Sequence, residues 1–188
     1  MKYYIRLGFV LLVIAVISSG ILAYVNSITK PIIDENKRRE KEEARKEVLP
    51  QATSFDSLTF LNGETAYIAL DRDKIVGYTF VASLYGYSSE VKTMVGLDTL
   101  FHITRIKIIE QQETPGLGAN CSKSEFQEQF SGKDKTEMQV DKDGGSIASI
   151  TGATITTRTI ASSIRSGMEI MEKKIAETDL QTGEENER

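Results

Sequence analysis

The sequence predicts an α+β fold: a largely antiparallel sheet with flanking helices, preceded by one N-terminal transmembrane helix. Three observations lead there. An apolar run opens the chain, four apolar-rich segments joined by short polar links follow, and a final stretch repeats its apolar residues at helical spacing. The chain of 188 residues is long enough for one ordinary domain and an attachment. The expected organisation is an anchor over 1–28, a charged helical stalk over 29–50, a folded domain over 51–176 and a disordered tail over 177–188.

From Ile5 to Val25 the only charge is Arg6, at the edge of the run. Such a stretch spans a hydrocarbon core of ~30 Å at ~1.5 Å per residue. A cleaved signal peptide is the rival reading, but the run exceeds the ~7–15 apolar residues of such peptides and no A-x-A site follows. Lys2, Arg6 and the amino terminus favour a cytoplasmic N-terminus, whereas Lys30, Lys37, Arg38 and Arg39 count for the opposite orientation. We read the N-terminus as cytoplasmic and the domain as extracytoplasmic. The downstream basic residues are interleaved with acids and lead into a long domain, which translocates largely regardless of charge.

In the stalk, Asp34 with Arg38, Glu35 with Arg39 and Glu42 with Lys46 are acid-first i,i+4 pairs, the order that supports a solvated helix. Pro31 suits the first turn of that helix and Pro50 its end. Beyond it, residues 66–70 and 75–83 flank the polar turn Asp71–Lys74 and read as a hairpin. Residues 90–98 and 102–110 extend the pattern to four strands. His102 opens one strand with no second ligand at useful spacing, so no metal site is expected there. Tyr85 and Tyr87, at a strand edge, suit either packing or stacking on a planar ring.

Glu113-Thr114-Pro115-Gly116-Leu117-Gly118 then forms a shaped loop. Pro115-Gly116 favours a tight turn, and Gly118 permits backbone conformations closed to other residues. A short helix over 124–129 is expected to stop at Gly132, with a polar surface loop over 133–145. Ile160, Ile164, Met168, Met171 and Ile175 mark the final helix, with Thr156 or Thr157 suited to cap it.

The turn before that helix, Thr151-Gly152-Ala153-Thr154-Ile155-Thr156-Thr157, is the most informative stretch. Gly152 and Ala153 are small, so a bulky group can approach the Thr154 hydroxyl at a helix end that favours anions. The stretch reads equally as a plain turn before a capped helix, and a threonine without a neighbouring base is a poor nucleophile. Thr154 is therefore an acceptor candidate, and no catalytic residue is assigned.

Composition narrows the classes. A net charge of −4 gives no reason to expect nucleic acid. The single cysteine, Cys121, rules out an internal disulfide, a cysteine-held iron–sulfur centre and a cysteine-cluster zinc site. Redox chemistry here requires an organic cofactor.

With the ETPGLG loop at 113–118 and TGATITT at 151–157, in that order behind an anchor and a charged stalk, the chain resembles the G component of the Rnf-type ion-translocating ferredoxin:NAD oxidoreductase complex. It is similar more broadly to the membrane-anchored FMN-binding domain shared with the C component of the sodium-pumping NADH:quinone oxidoreductase; the short chain favours the Rnf type. The resemblance implies an electron-transfer subunit of a membrane complex whose FMN is joined through its phosphate to Thr154 by a separate Mg-dependent flavin transferase. It also places Glu113, Thr114, Gly116, Leu117 and Gly118 beside the flavin, with Thr151, Gly152, Ala153 and Thr157 near the attachment point. Implied partners are the other subunits, the transferase and membrane lipid. One departure stands out: the family pattern has Asp three residues before its [S/T]-G-A-T motif, and this chain has Ala148. An unmodified domain that only scaffolds other subunits is the alternative.

Overall fold

The structure, a computed structural model, describes residues 2–59 and 65–185. The chain forms two compact units, Met1–Glu40 and Lys41–Arg188. Helix α1 runs Lys2–Val48, and its apolar stretch is long enough to cross a membrane with none of that stretch buried within the chain. Pro31 lies inside this helix and not in the first turn of a separate stalk. Arg38 pairs with Glu35 at 3.0 Å, an i,i+3 contact, rather than with Asp34. Both spacings bring side chains together on a helix surface, and side-chain reach chooses between them.

The second unit is built on a five-stranded antiparallel sheet in the order β1-β2-β3-β4-β5. Its strands are Ser54–Thr59, Thr65–Asp71, Lys74–Tyr85, Glu90–Leu97 and Ile103–Glu110. The four expected strands are present. The first is an addition that SFDSLT, with three of six residues Ser or Asp, does not announce as a strand.

The short helix α2 spans Ser124–Glu128, and the long helix α3, Thr154–Glu185, covers one sheet face. Phe80, Leu97 and Ile106 from the sheet meet Ile160, Ile164 and Met168 from α3, all buried. On a second cluster the last turns of α1 supply Ala44 and Val48, packed with Leu49, Ala69 and Met94. Thr104 Oγ1 donates to the Val48 carbonyl at 2.7 Å, and Lys107 pairs with Glu47 at 2.9 Å. The Arg45 guanidinium lies 3.5 Å from the Tyr67 ring centroid and 5.5 Å from that of Phe55. Among the described residues its Nε is buried without a hydrogen-bond partner, and the two aromatic faces supply favourable electrostatics there.

Helix α2 ends before the expected stop, with Gln129 as its C-cap, and Gly132, at a left-handed φ of 77°, lies in the turn that follows. Residues 133–145 are more ordered than a surface loop. Asp134 forms a capping box on the 3-10 turn Lys135–Glu137, and Met138 and Val140 are buried. Helical structure also continues through Glu185, past the point where a tail is expected. No proline interrupts 176–185, so nothing in the backbone forces an end there. Residues 186–188 of that expected tail lie outside the described residues.

Candidate functional site

Three segments far apart in sequence converge at one end of the sheet. They are the β3–β4 hairpin turn, closed by Gly86 N donating to the Ser89 carbonyl at 2.7 Å, the 113–118 loop, and the turn into α3. Between them lies a cleft of about 450 Å³, lined by residues of all three segments including Tyr87, Leu117 and Thr154. That volume falls within the ~300–1,000 Å³ of small-ligand sites.

The 113–118 loop owes its shape to two different glycine effects. Leu117 N donates to the Thr114 carbonyl at 3.1 Å, and Gly116, at φ 77°, supplies the left-handed residue of this turn. Gly118 is needed instead for space. A Cβ there would stand 2.7 Å from Glu113 Oε2 and 2.8 Å from Thr156 Oγ1.

Those two atoms mark the centre of the site. Glu113 is 5% exposed, yet among the described residues its partners include no Lys or Arg. Ser88 N and Ser89 N donate to Oε1 at 2.9 and 3.1 Å, and Thr156 Oγ1 donates to Oε2 at 2.7 Å. Burial pushes the carboxyl pKa up. The hydrogen bonds from Ser88, Thr156, Ser89 and Tyr87 together outweigh it, so the group sits below the usual carboxylate range. Its charge in turn adds to burial in raising the nearby Cys121 thiol to about 11.

The hydroxyl-rich turn separates its four threonines by environment. Ala153 N donates to the Ile150 carbonyl at 2.9 Å, with Gly152 at φ 77° completing the turn. Thr156 and Thr157 are fully buried within the first turn of α3, which starts at Thr154. Neither is the expected N-cap. Thr156 serves Glu113, while Thr157 Oγ1 donates to the Ala153 carbonyl and accepts from Ile150 N at 3.1 Å, fastening the incoming turn to the helix. Thr154 is partly exposed, lines the cleft, and makes no side-chain hydrogen bond among the described residues. The N–H groups of α3's first residues precede its hydrogen-bond ladder, so this hydroxyl stands at the helix's positive end.

Residues 86–169 match the FMN-binding domain family, and residues 2–48 match the RnfG N-terminal region. Over 191 residues the chain is 32% identical to the G component of the Na(+)-translocating ferredoxin:NAD(+) oxidoreductase complex of Acetobacterium woodii, covering 90% of this chain and 92% of that protein. The chain belongs to the RnfG family. The G component of the ion-translocating oxidoreductase complex of Shewanella baltica is 30% identical, with 87% of each chain covered. Its counterpart in the proton-translocating ferredoxin:NAD(+) oxidoreductase complex of Clostridium ljungdahlii is 29% identical, over 81% of this chain and 83% of that one. The crystal structure of Shewanella oneidensis NqrC aligns with 63% of this chain and 66% of its own, at a TM-score of 0.47 and 16% identity.

Within this RnfG-family chain, Glu113, Thr114, Leu117, Gly118, Gly152, Ala153 and Thr154 all line the cleft. Gly116 and Thr151 are exposed and Thr157 is buried behind the turn; these three shape the site without lining it. Ala153 itself is buried, whereas Gly152 is exposed and a Cβ there would stand 2.9 Å from Leu117 Cδ2. Sequence reasoning does not single out Thr156 as the partner of Glu113, or Ile155 as an exposed apolar residue of the rim. It sets Asp141 and Asp143 aside as out of register with Ala148 and does not anticipate what they pair with. Asp141 Oδ1 accepts from Ser149 N at 3.2 Å and from the Ser149 hydroxyl, and Asp143 pairs with Arg158 Nε at 2.7 Å. The fold thus gathers both acids beside the turn, although neither stands in register with Ala148. The acid-rich DKD triplet followed by Arg158 one turn into a helix is a faint signal, readable only once the loop is folded back.

Proposed function

We propose that this chain is the electron-relay subunit of an Rnf-type membrane complex and carries FMN joined through its phosphate to Thr154 Oγ. The observation that carries the reading is the contrast among the threonines. Thr156 and Thr157 have buried, engaged hydroxyls, whereas Thr154 presents an unengaged hydroxyl to the cleft at the start of α3. The residues present fit FMN. The helix start favours its phosphate, each such interaction adding ~0.3–1 kcal/mol when exposed. Tyr87, Leu117 and Ile155 are exposed apolar surfaces beside it, suited to a planar ring.

FMN supplies the electron-transfer chemistry when bound, and the protein supplies placement and electrostatics. Glu113, the carboxylate in the cleft, is committed to Thr156 and to backbone amides of the hairpin turn, which leaves the Thr154 hydroxyl without a local base. That agrees with attachment by a separate Mg-dependent transferase. The Thr154 oxygen displaces a nucleoside monophosphate from a flavin dinucleotide. The Oγ–P bond forms as the pyrophosphate bond breaks, and the hydroxyl proton passes to a base of the transferase. A covalent tether keeps the flavin at an effective concentration of ~mM without a deep pocket. In this reading α1 is the single membrane span, with the N-terminus cytoplasmic and the domain outside, among the other subunits of the complex.

Intact mass of the protein isolated from cells that hold the transferase tests the assignment. The expected mass is the polypeptide plus one flavin nucleotide less a water, and Thr154→Ala returns it to the bare polypeptide. A bare wild-type chain supports the scaffold alternative, and flavin retained in Thr154→Ala moves the attachment to another hydroxyl.

A further inference from the structure

We propose that the Glu113 carboxylate is a positioning group that staples the two walls of the cleft together and so sets where the Thr154 hydroxyl lies. The inference rests on the reading of Thr154 as the flavin acceptor. One wall is the hairpin turn bearing Tyr87, whose neighbours Ser88 and Ser89 donate their amides to Oε1 at 2.9 and 3.1 Å. The other is the first turn of α3, whose Thr156 hydroxyl donates to Oε2 at 2.7 Å across 43 residues of sequence. Each oxygen of this nearly inaccessible side chain is thus engaged by protein, and its two oxygens face opposite walls.

The surroundings are cut to the carboxylate. A Cβ on Gly86 would lie 2.7 Å from Oε1, and one on Gly118 would lie 2.7 Å from Oε2. A second tie runs parallel, with Gln112 N donating to Ser89 Oγ at 2.7 Å, and Gln111 Oε1 holds the Glu113 amide at 2.8 Å. The carboxylate's place is therefore fixed from its own backbone as well as from both walls. Thr156 is two residues from Thr154 on the same helical turn, so releasing it frees the turn that carries the acceptor. The charge is stabilised by N–H and O–H donors alone. Such an arrangement is costly to leave half-made, because any donor stripped of its partner stays buried.

The test is a time course of covalent flavin incorporation into the full-length protein in detergent, with limiting transferase, Mg and flavin dinucleotide, read by in-gel fluorescence after denaturation. Thr156→Val keeps the volume and removes the donor, and its labelling is expected to slow about ten- to a hundredfold, since a misplacement of ~1 Å in a reacting group costs up to ~10²-fold. Thr156→Ser restores the hydroxyl and is expected to label at close to the wild-type rate. The double variant Glu113→Gln/Thr156→Val separates a staple from a ligand: loss of one shared bond makes the two changes non-additive, whereas a direct role for Glu113 on the flavin or the transferase multiplies them. Multiplied effects, or wild-type rates in every folded variant, overturn the proposal. Should Thr156→Val be unfolded at the assay temperature, Thr156→Ser and Glu113→Gln carry the comparison. The glutamine keeps an acceptor for the Ser88 and Ser89 amides but turns an N–H toward the Thr156 oxygen, so the charge-assisted bond from Thr156 is lost and labelling is expected to slow in Glu113→Gln as well; a wild-type rate there overturns the proposal. Thr154→Ala run alongside distinguishes the two levels: flavin retained there removes the acceptor reading and this inference with it, while flavin lost there beside unchanged rates elsewhere removes the staple alone.

Discussion

Replacing Gly118 with alanine tests whether the site is held by close approach or merely by a flexible loop. The new Cβ would meet Glu113 Oε2 at 2.7 Å, Thr156 Oγ1 at 2.8 Å and Glu113 Cβ at 2.9 Å, where ordinary contact begins at 3.4 Å. The difference of about 0.7 Å, 3.4 − 2.7, has to be absorbed by the two groups that share the 2.7 Å hydrogen bond. Overpacking of this kind costs about 1–3 kcal/mol, and weakening a hydrogen bond to a charged group costs about 1.5–3 kcal/mol. The lower chain entropy of alanine in the unfolded state returns about 0.4–1 kcal/mol. We expect a net loss of about 1.5–5.5 kcal/mol. Gly116→Ala is the control. It also changes a glycine in this loop, but nothing lies within 4 Å of its Cβ, so only its φ of 77° opposes the change. That strain is about 1–2 kcal/mol. Urea unfolding followed by tyrosine fluorescence suits a chain with seven Tyr and no Trp. A Gly118→Ala loss no larger than that of Gly116→Ala refutes the packing argument.

Ala148→Asp should raise the rate of flavin incorporation under limiting transferase while changing stability by no more than ~0.5 kcal/mol, since residue 148 is exposed and held through its backbone by Gln129. Equal labelling curves would remove a recognition role for an acid there. Protease added to intact spheroplasts should remove the domain and spare cytoplasmic markers; a protected domain reverses the orientation. Cys121, buried and raised to about 11, should resist alkylation at pH 8 until the protein unfolds, and rapid modification of the native protein would contradict its burial.

The parts of the fold legible in the sequence are those where one face is apolar and periodic. Ile160, Ile164, Met168 and Met171 all reach the core, and the strands over 66–110 follow their apolar pattern. The unreadable parts depend on partners distant in sequence. Thr156 looks like a cap from its neighbours, but the carboxylate 43 residues earlier gives it another task. Met138 and Val140 sit in a polar stretch whose burial is decided by what packs over it. Pro31 resembles a helix start because local rules weigh one turn at a time, while the surrounding helix tolerates it. For the cleft, the two loops are visible as motifs, yet their junction through Glu113 is a fact of three dimensions.

The order of the sheet leaves two outer strands, and they are shielded by opposite means. Along β5, Ile103 N donates to the Lys133 carbonyl at 2.9 Å, its carbonyl accepts from Gly132 N at 2.7 Å, and Ile108 N donates to Gln127 Oε1 at 3.3 Å. These three groups, which an incoming strand would otherwise pair with, are thereby already spent. At the other edge, β1 carries Ser54, Asp56 and Ser57, a composition unattractive to an incoming strand. The polar character that hides β1 from a strand pattern is thus a safeguard against aggregation. It matters most for a domain concentrated on a surface, where neighbouring copies meet repeatedly and an unguarded edge would template their association.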